Sequence, residues 1–140
     1  MKDRLFIDTI VMLDLLGERD PYYNSAAKIA TMADKGKITM VVSALSFPTV
    51  FYLLTRFEKK EVVKEKLRKF KVISETSNLS DRIIEKGLTS NFSDFEDALQ
   101  YHCALQNDCN LLITRNVKDF KKSKIPVLTP DEYLKSLIKR

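Results

Sequence analysis

Short apolar runs alternate with segments of helical periodicity along almost the whole chain, and this alternation limits the fold to a few architectures. The apolar runs predict strands over 4–8, 37–43, 71–74, 110–114 and 125–128. Two strands that are separated by a helix usually pair in parallel, with the helix packed on one face of the sheet. We therefore expect an α/β fold in which helices cover both faces of a central, mostly parallel sheet of four to five strands.

The segments between these runs carry apolar residues at helical spacing. They predict helices over 11–16, 22–36, 44–57, 59–70, 78–88, 93–108 and 129–138. Ser93 is followed three residues later by Glu96, which predicts a capping box at the start of its helix. Thr129 and Glu132 form a second such pair, with Pro130 at the first helical position.

The composition is that of an ordinary globular protein. The chain has 140 residues, of which 44% are hydrophobic, so we expect a single domain over 1–140 with a normal core. No apolar run approaches the roughly 20 residues that cross a bilayer. The opening MKDR leads into a strand without the apolar segment of a signal peptide. The sequence therefore predicts a cytoplasmic protein with no membrane partner.

The cysteine, histidine and glycine contents exclude several classes of site. Cys103, Cys109 and the single His102 form neither a disulfide framework nor a zinc motif. The three glycines fit neither of the common glycine-rich phosphate-binding motifs, and no serine lies in the GxSxG motif of hydrolases. A net charge of +5 permits attraction to an anionic polymer without requiring it.

Polar side chains gather where the predicted strands end, which is where open parallel sheets bind their ligands. Asp8 ends the first strand, where burial of an ionised carboxylate is costly unless a cation or hydrogen-bond donors compensate its charge. The helix over 93–108 brings Asp94 and Asp97 toward the same edge. For Asp94 an alternative stands, because an acid at a helix start is also stabilised by the helix dipole. The remaining residues expected at this edge are Ser43, Thr114, Arg115, Asn116 and Asp119.

Several carboxylates at one edge do not all stay ionised without a counter-charge. A hard divalent cation with oxygen ligands, such as Mg²⁺ or Mn²⁺, supplies that charge economically. An ion of this kind commonly meets phosphate groups, and it activates water for the hydrolysis of phosphodiesters. The pattern therefore favours a metal bound against Asp8.

Four blocks of the sequence, taken in order, resemble the PIN-domain ribonucleases, particularly the VapC-type toxins of bacterial toxin–antitoxin pairs. The blocks are FIDTIVMLDLL, VVSALSF, FEDALQYHCAL and LLITRNVKDF, and the likeness extends from Leu5 to about Tyr133. The resemblance implies a three-layer α/β/α fold and acidic residues that hold one or two Mg²⁺ or Mn²⁺ ions. It also implies hydrolysis of single-stranded RNA, an antitoxin partner and a homodimer.

The resemblance assigns roles to individual residues. Asp8 matches the first acid of the family, and Asp97 matches the acid of its xxDAxxxxxA helix. Asn116 falls where the family has a fourth acid or an asparagine, and Asp119 matches the aspartate of its xxDF block. We expect these four residues to be catalytic and the three aspartates to bind metal. The residues expected against the substrate are Ser43, Thr114, Arg115 and Lys118.

Two positions depart from the family pattern. Thr49 stands where the family usually has a glutamate, and Ile10 stands where it has asparagine or serine after DT. Loss of the glutamate removes one negative ligand, and cation affinity depends on the charge of the ligand set. Asp94 is the residue that we expect to replace it in part.

Positive charge is concentrated in 59–71 and 115–124. The first segment alternates Lys with Glu, which is typical of a solvated helix face. The second follows the expected site directly, so its basic side chains are placed to flank an RNA backbone. These side chains are Arg115, Lys118, Lys121, Lys122 and Lys124.

Three hypotheses for the function follow. The first is a metal-dependent endoribonuclease of PIN type, the toxin of a toxin–antitoxin pair. The second is a PIN-like module that has lost catalysis and binds RNA or protein, which Thr49 and Ile10 favour. The third is an unrelated α/β phosphohydrolase, because a fold class alone does not determine function.

Overall fold

A computed structural model describes residues 2–139, and in this part of the chain five strands form one sheet. They are β1 (Arg4–Ile7), β2 (Thr39–Ser43), β3 (Ser74–Ser77), β4 (Leu111–Ile113) and β5 (Val127–Leu128). Their order across the sheet is β3-β2-β1-β4-β5, and all neighbouring pairs are parallel. The expected parallel sheet of four to five strands is confirmed.

Helices connect the strands and cover both faces of the sheet. They are α1 (Thr9–Leu16), α2 (Tyr23–Asp34), α3 (Ser46–Leu54), α4 (Lys60–Val72), α5 (Asp81–Leu88), α6 (Phe95–Gln106) and α7 (Pro130–Ile138). A 3-10 turn, Val117–Phe120, lies between β4 and β5. Within residues 2–139, no helix combines the length and apolar character that crossing a membrane requires.

Alternate residues of each central strand face opposite sides of the sheet, as the pleat of a strand dictates. Leu5 and Ile7 of β1 belong to a core cluster that includes residues of α1, α2, α3, α4 and α7. Phe6, between them, belongs to a second cluster with residues of α5, α6 and the 3-10 turn. The sheet is therefore the middle of three layers, and the expected α/β/α architecture is confirmed.

The strand order determines where a site can form. The chain adds β2 and β3 on one side of β1 and then returns to add β4 and β5 on the other side. The crevice between the carboxyl ends of β1 and β4 is thus the switch point of the sheet, where ligands of open α/β sheets bind. Asp8 follows β1 directly, and Thr114, Arg115 and Asn116 follow β4.

The third strand lies further along the chain than predicted. Lys71 and Val72 end α4, and the strand is Ser74–Ser77 instead of 71–74. The apolar residues within 71–74 led to the wrong prediction, because Val72 is exposed and belongs to the helix. The polar segment SETS can form a strand because β3 is an edge strand with β2 as its one neighbour in the sheet, where solvent-facing positions accept polar side chains.

One of the two predicted capping boxes is wrong. Helix α6 begins at Phe95, and its N-cap is Asp94, whose Oδ1 accepts from the backbone N–H of Asp97 at 3.0 Å. Asp94 caps the helix in place of Ser93 because aspartate is an equally good N-cap residue and its negative charge interacts favourably with the helix dipole. The box of α7 is confirmed, since Thr129 and Glu132 bond reciprocally.

Candidate functional site

Asp8 lies at the switch point, where β1 turns directly into α1. Its backbone N–H donates to the carbonyl of Ile113 in β4 at 3.0 Å, which fixes Asp8 beside the neighbouring strand. The side chain is only 5% exposed. Burial raises the pKa of Asp8, and the hydrogen bond that Thr114 Oγ1 donates to Asp8 Oδ2 at 2.6 Å opposes this rise. Asp8 is thus held in place by the protein itself.

A buried polar network beside Asp8 joins the starts of α1 and α3 to the middle of α6. The backbone N–H and the hydroxyl of Thr9 donate to Gln100 Oε1 at 2.9 and 3.2 Å. The Thr9 hydroxyl is also hydrogen-bonded to that of Ser46 at 2.6 Å. These contacts connect α1, α3 and α6. Throughout residues 2–139, every buried side-chain nitrogen or oxygen has a hydrogen-bond partner.

Asp97 lies in the first turn of α6 and is half-buried. Burial raises its pKa to about 7, with further contributions from the negative charges of Asp94, Asp8, Asp119 and Glu96. These five carboxyl groups act on one another although three separate segments of the chain carry them. We call them the carboxylate cluster. Asp8, Asp94 and Asp119 thus lie near enough to Asp97 for their charges to raise its pKa.

Glu96 is the member of the cluster that sequence reasoning missed. It was assigned to a capping box with Ser93, but the helix begins one residue later and Asp94 caps it. Burial raises the pKa of Glu96, and the charges of Asp94 and Asp8 raise it further. Its position beside Asp97 at a helix start could have indicated a role in the site, but the pattern of a capping box gave a simpler explanation.

The 3-10 turn after β4 carries Asn116 at its N-cap and Asp119 within it, and both are exposed. The backbone N–H of Asn116 donates to Thr114 Oγ1 at 3.0 Å, and that of Asp119 donates to the Asn116 carbonyl at 2.9 Å. Asp119 and Lys118 line a cavity of about 330 Å³ with Lys121 and Lys122. The turn thus presents an acid and several lysines side by side to solvent.

Ser43 and Thr114 lie at the expected edge of the sheet, but their side chains are not exposed to a substrate. Both were expected against a substrate, but both are buried. Ser43 Oγ accepts from the backbone N–H of Leu45 at 3.1 Å and shapes the turn after β2. The Thr114 hydroxyl donates to Asp8 Oδ2. They are positioning residues, because their hydroxyls are used within the protein.

Arg115 also has a partner that the sequence did not indicate. Its Nε and Nη2 donate to the two carboxylate oxygens of Asp14 at 2.6 and 3.2 Å. Asp14 is 1% exposed and also pairs with Arg19 at 3.1 Å. The Arg115 guanidinium lies over the ring of Tyr22, with 3.7 Å from Cζ to the ring centroid. Arg115 is therefore held rigidly instead of extending freely toward solvent.

The donor chemistry of the carboxylate cluster fits a hard divalent cation, since oxygen ligands of like charge repel one another until a cation neutralises them. Among residues 2–139, however, no three His, Cys, Asp or Glu side chains are arranged to hold an ion together. Mg²⁺ usually keeps several waters and takes only one or two carboxylates. The residues present thus suit an ion held by two carboxylates and water.

Comparison with known proteins decides the family. Residues 4–118 match the family model for the PIN domain. The chain belongs to the PIN domain family. This PIN domain is 27% identical over 136 residues to Ribonuclease VapC1 of Aquifex aeolicus, a match that covers 94% of the chain and 93% of that relative.

Solved structures share the same fold. A toxin–antitoxin complex from Klebsiella pneumoniae matches with a TM-score of 0.66 and 23% identity, over 90% of this PIN domain chain and 97% of that chain. VapBC2 of Rickettsia felis, bound to a DNA fragment from its promoter, matches with a TM-score of 0.63 and 20% identity, over 89% and 96%. The match to the family model confirms the family resemblance and contradicts the hypothesis of an unrelated α/β phosphohydrolase.

Proposed function

We propose that the protein is a metal-dependent endoribonuclease of PIN type that hydrolyses single-stranded RNA, and that it is the toxin of a toxin–antitoxin pair. The observation that carries this proposal is the electrostatic interaction of Asp8 and Asp119 with Asp97 near the switch point of the sheet. These residues come from three segments that are distant in sequence, and the charges of Asp8 and Asp119 raise the pKa of Asp97. The relationship to Ribonuclease VapC1 of Aquifex aeolicus supports the same reaction class.

Asp8 and Asp97 are the residues that we assign to hold Mg²⁺ or Mn²⁺, with Asp119 and Asn116 as further ligands or as groups that orient water. Asp94 and Glu96 add negative charge at the helix start and strengthen the attraction for a cation. When bound, the ion supplies an activated water and neutralises charge that develops on the phosphodiester. Thr114 holds Asp8 in the orientation that this role requires.

Lysines beside the site are placed to bind the phosphates of the RNA backbone. Lys118, Lys121 and Lys122 line the cavity that Asp119 also lines. Lys122 Nζ donates to the carbonyl of Asn91 at 2.6 Å, so its charge is oriented toward this cavity wall. Since phosphate contacts dominate nucleic-acid affinity and are sensitive to salt, we expect binding of RNA to weaken as salt increases.

A surface of mixed apolar and charged side chains supports an antitoxin as protein partner. Leu13, Leu53, Leu54 and Phe57 contribute to a cavity of about 530 Å³ between α1 and α3. Phe57 is 85% exposed there, and the exposure of a large apolar side chain beside a groove is typical of a protein-binding surface. The Klebsiella pneumoniae relative is itself a toxin–antitoxin complex. A homodimer and a cytoplasmic location complete the proposal.

The second candidate function is a module that binds RNA or protein without catalysis. Thr49 in place of the family's glutamate favours it, as does the lack of a preassembled three-ligand metal group within the described chain. The two candidates differ in one simple property. A protein with a metal site gains thermal stability from Mn²⁺ by linkage, whereas a module without one gains little.

The decisive experiment compares cleavage of single-stranded RNA in Mn²⁺ by the wild type, Asp97→Asn and Asp34→Asn, all purified identically. Asp34 is an exposed acid at the end of α2, so its variant controls for loss of a carboxylate elsewhere. Cleavage by the wild type and Asp34→Asn but not by Asp97→Asn supports the proposal. Equal cleavage by all three is the activity of a contaminating nuclease and says nothing about this protein. No cleavage together with no stabilisation by Mn²⁺ favours the binding module.

A further inference from the structure

A second cavity lies beside the loop that follows β4. It has a volume of about 550 Å³, and Tyr22, Ser25, Arg115, Asn116 and Asp131 contribute to its wall. Asn116 connects it with the site, because its backbone N–H donates to Thr114 Oγ1 and that hydroxyl donates to Asp8. The cavity is thus two hydrogen bonds away from the first acid of the site.

The wall of this cavity carries a rigid, flat aromatic surface. The Arg115 guanidinium, fixed by its two hydrogen bonds to Asp14, covers the Tyr22 ring at 3.7 Å. Tyr22 nevertheless remains 41% exposed. Aromatic rings and guanidinium planes are the groups on which proteins stack unpaired bases of single-stranded RNA. A ring held in place by a fixed guanidinium loses little entropy when a base stacks on it.

Polar groups at the edge of the cavity are suited to the edge of a base. Asp131 Oδ1 accepts from Ser25 Oγ at 2.6 Å, so the carboxylate is oriented by a neighbour and can accept further hydrogen bonds. The side-chain amide of Asn116 offers both donors and an acceptor. A carboxylate accepts from exocyclic amino groups, which guanine, adenine and cytosine carry and uracil lacks.

We propose that this cavity binds one nucleobase of the RNA substrate, adjacent to the phosphate that is cleaved, and that it prefers bases with an exocyclic amino group. The base stacks on Tyr22, while Asp131 and Asn116 read its edge. This inference rests on the proposed ribonuclease function and adds a determinant of substrate choice to it.

The test is an NMR titration of the metal-free protein with each nucleoside 5′-monophosphate and with ribose 5-phosphate, which lacks a base. We expect the ring resonances of Tyr22 and the side-chain amide of Asn116 to shift with GMP, AMP and CMP, and about tenfold more weakly with UMP. Ribose 5-phosphate should leave them unchanged. Tyr22→Leu should weaken binding about tenfold or more through loss of stacking, whereas Tyr22→Phe should retain it.

Asp131→Asn is the second variant, and it should reduce the discrimination against UMP while leaving stacking in place. The inference is overturned if ribose 5-phosphate moves the same resonances as the nucleotides, or if Tyr22→Leu binds them as the wild type does. Because the titration requires neither metal nor cleavage, it gives its answer even if the protein proves not to be a ribonuclease. Conversely, cleavage of RNA without base binding would preserve the proposed function and refute the subsite.

Discussion

The hydroxyl of Thr114 donates a 2.6 Å hydrogen bond to Asp8 Oδ2, and both side chains are buried where β1 and β4 end. The same hydroxyl accepts from the backbone N–H of Asn116 at 3.0 Å. One small side chain therefore connects the first acid of the site with the loop that carries Asn116. Since Thr114 has no access to a substrate, its effect on the site must act through Asp8.

Substitution of Thr114 tests this relationship. Thr114→Val preserves the shape of the side chain but leaves Asp8 without its donor, so we expect the affinity for Mn²⁺ to fall about 10–100-fold, as is typical for loss of a group that orients a metal ligand. Thr114→Ser keeps the hydroxyl and should bind Mn²⁺ nearly as the wild type does. Calorimetric titration with Mn²⁺ measures both. Equal affinities of the Val variant and the wild type would show that the hydrogen bond has no such effect.

The pH dependence of stability tests the carboxylate cluster without metal. The pKa of Asp97 is about 7 in the folded protein against 3.8 for a free side chain. Between these values the folded state keeps a proton that the unfolded state has released, so the free energy of unfolding should decrease as the pH rises through this range. The raised pKa values of Asp8 and Glu96 act in the same direction.

Urea unfolding in EDTA at about pH 5 and about pH 8 measures this decrease. Asp97→Asn removes the titrating group and should reduce the difference between the two conditions. Asp34→Asn, far from the cluster, should leave the difference as it is in the wild type. A wild-type protein that is more stable at the higher pH would contradict the arrangement of charges described above.

Much of the fold was predictable because buried parallel strands must be apolar. β1, β2 and β4 are each surrounded by core side chains, and their apolar sequences therefore predict buried strands. β3 was misplaced because an edge strand needs little apolar character, so SETS gives no signal of its own. The helix start at Phe95 was missed by one residue because Ser93 and Asp94 are both good caps, and the choice between them depends on tertiary contacts.

The acids of the candidate site could be selected from the sequence, but the residues that bond to them could not. Asp8 and Asp97 could be selected because a carboxylate at a strand end or in the first turn of a partly buried helix is costly unless its charge is compensated. Asp119 could be selected because it closely follows β4. The partners of these residues come from distant parts of the chain, and no local pattern shows them. Asp14 illustrates this limit, since its partner Arg115 lies 101 residues away. A carboxylate within the apolar helix TIVMLDLL was nevertheless a signal of the same kind as Asp8.

The two arginines that pair with Asp14 should differ strongly in their contribution to stability. Arg115 is 22% exposed and binds Asp14 through two hydrogen bonds, whereas Arg19 is 42% exposed and has a single contact of 3.1 Å. Removal of Arg115 leaves the buried Asp14 carboxylate with Arg19 alone, and loss of a partner from a buried ion pair costs about 3 kcal/mol. We therefore expect Arg115→Met to lower the free energy of unfolding by about 3 kcal/mol. Arg19→Met should lower it by less than about 1 kcal/mol.

Chemical denaturation of the two variants under identical conditions checks this difference. The comparison is matched, because both substitutions remove an arginine from the same carboxylate and both introduce the same side chain. Equal losses of stability would show that the exposed pair with Arg19 carries as much of the compensation as the bidentate pair does. In that case the rigidity of Arg115, on which the stacked Tyr22 surface depends, would have to come from elsewhere.

The last prediction concerns Thr49, the position where the family pattern has a glutamate. Thr49 lies one turn after Ser46, which contacts Thr9 beside Asp8, so position 49 is on the helix that borders the site. Its hydroxyl donates to the carbonyl of Leu45 at 3.0 Å, and this local bond is the contact that a substitution would lose. We expect Thr49→Glu to add one negative ligand and to raise the affinity for Mn²⁺ about tenfold.

Thr49→Gln is the matched control, because it has the same length without the charge and should leave the affinity near that of the wild type. Calorimetric titration gives the affinities, and the shift of Tm with Mn²⁺ gives an independent measure of the same linkage. If the Glu and Gln variants bind Mn²⁺ equally, position 49 does not reach the ion, and the cluster at the start of α6 provides the charge instead. An increase confined to Glu would mean that the site keeps the family geometry and lacks only one ligand.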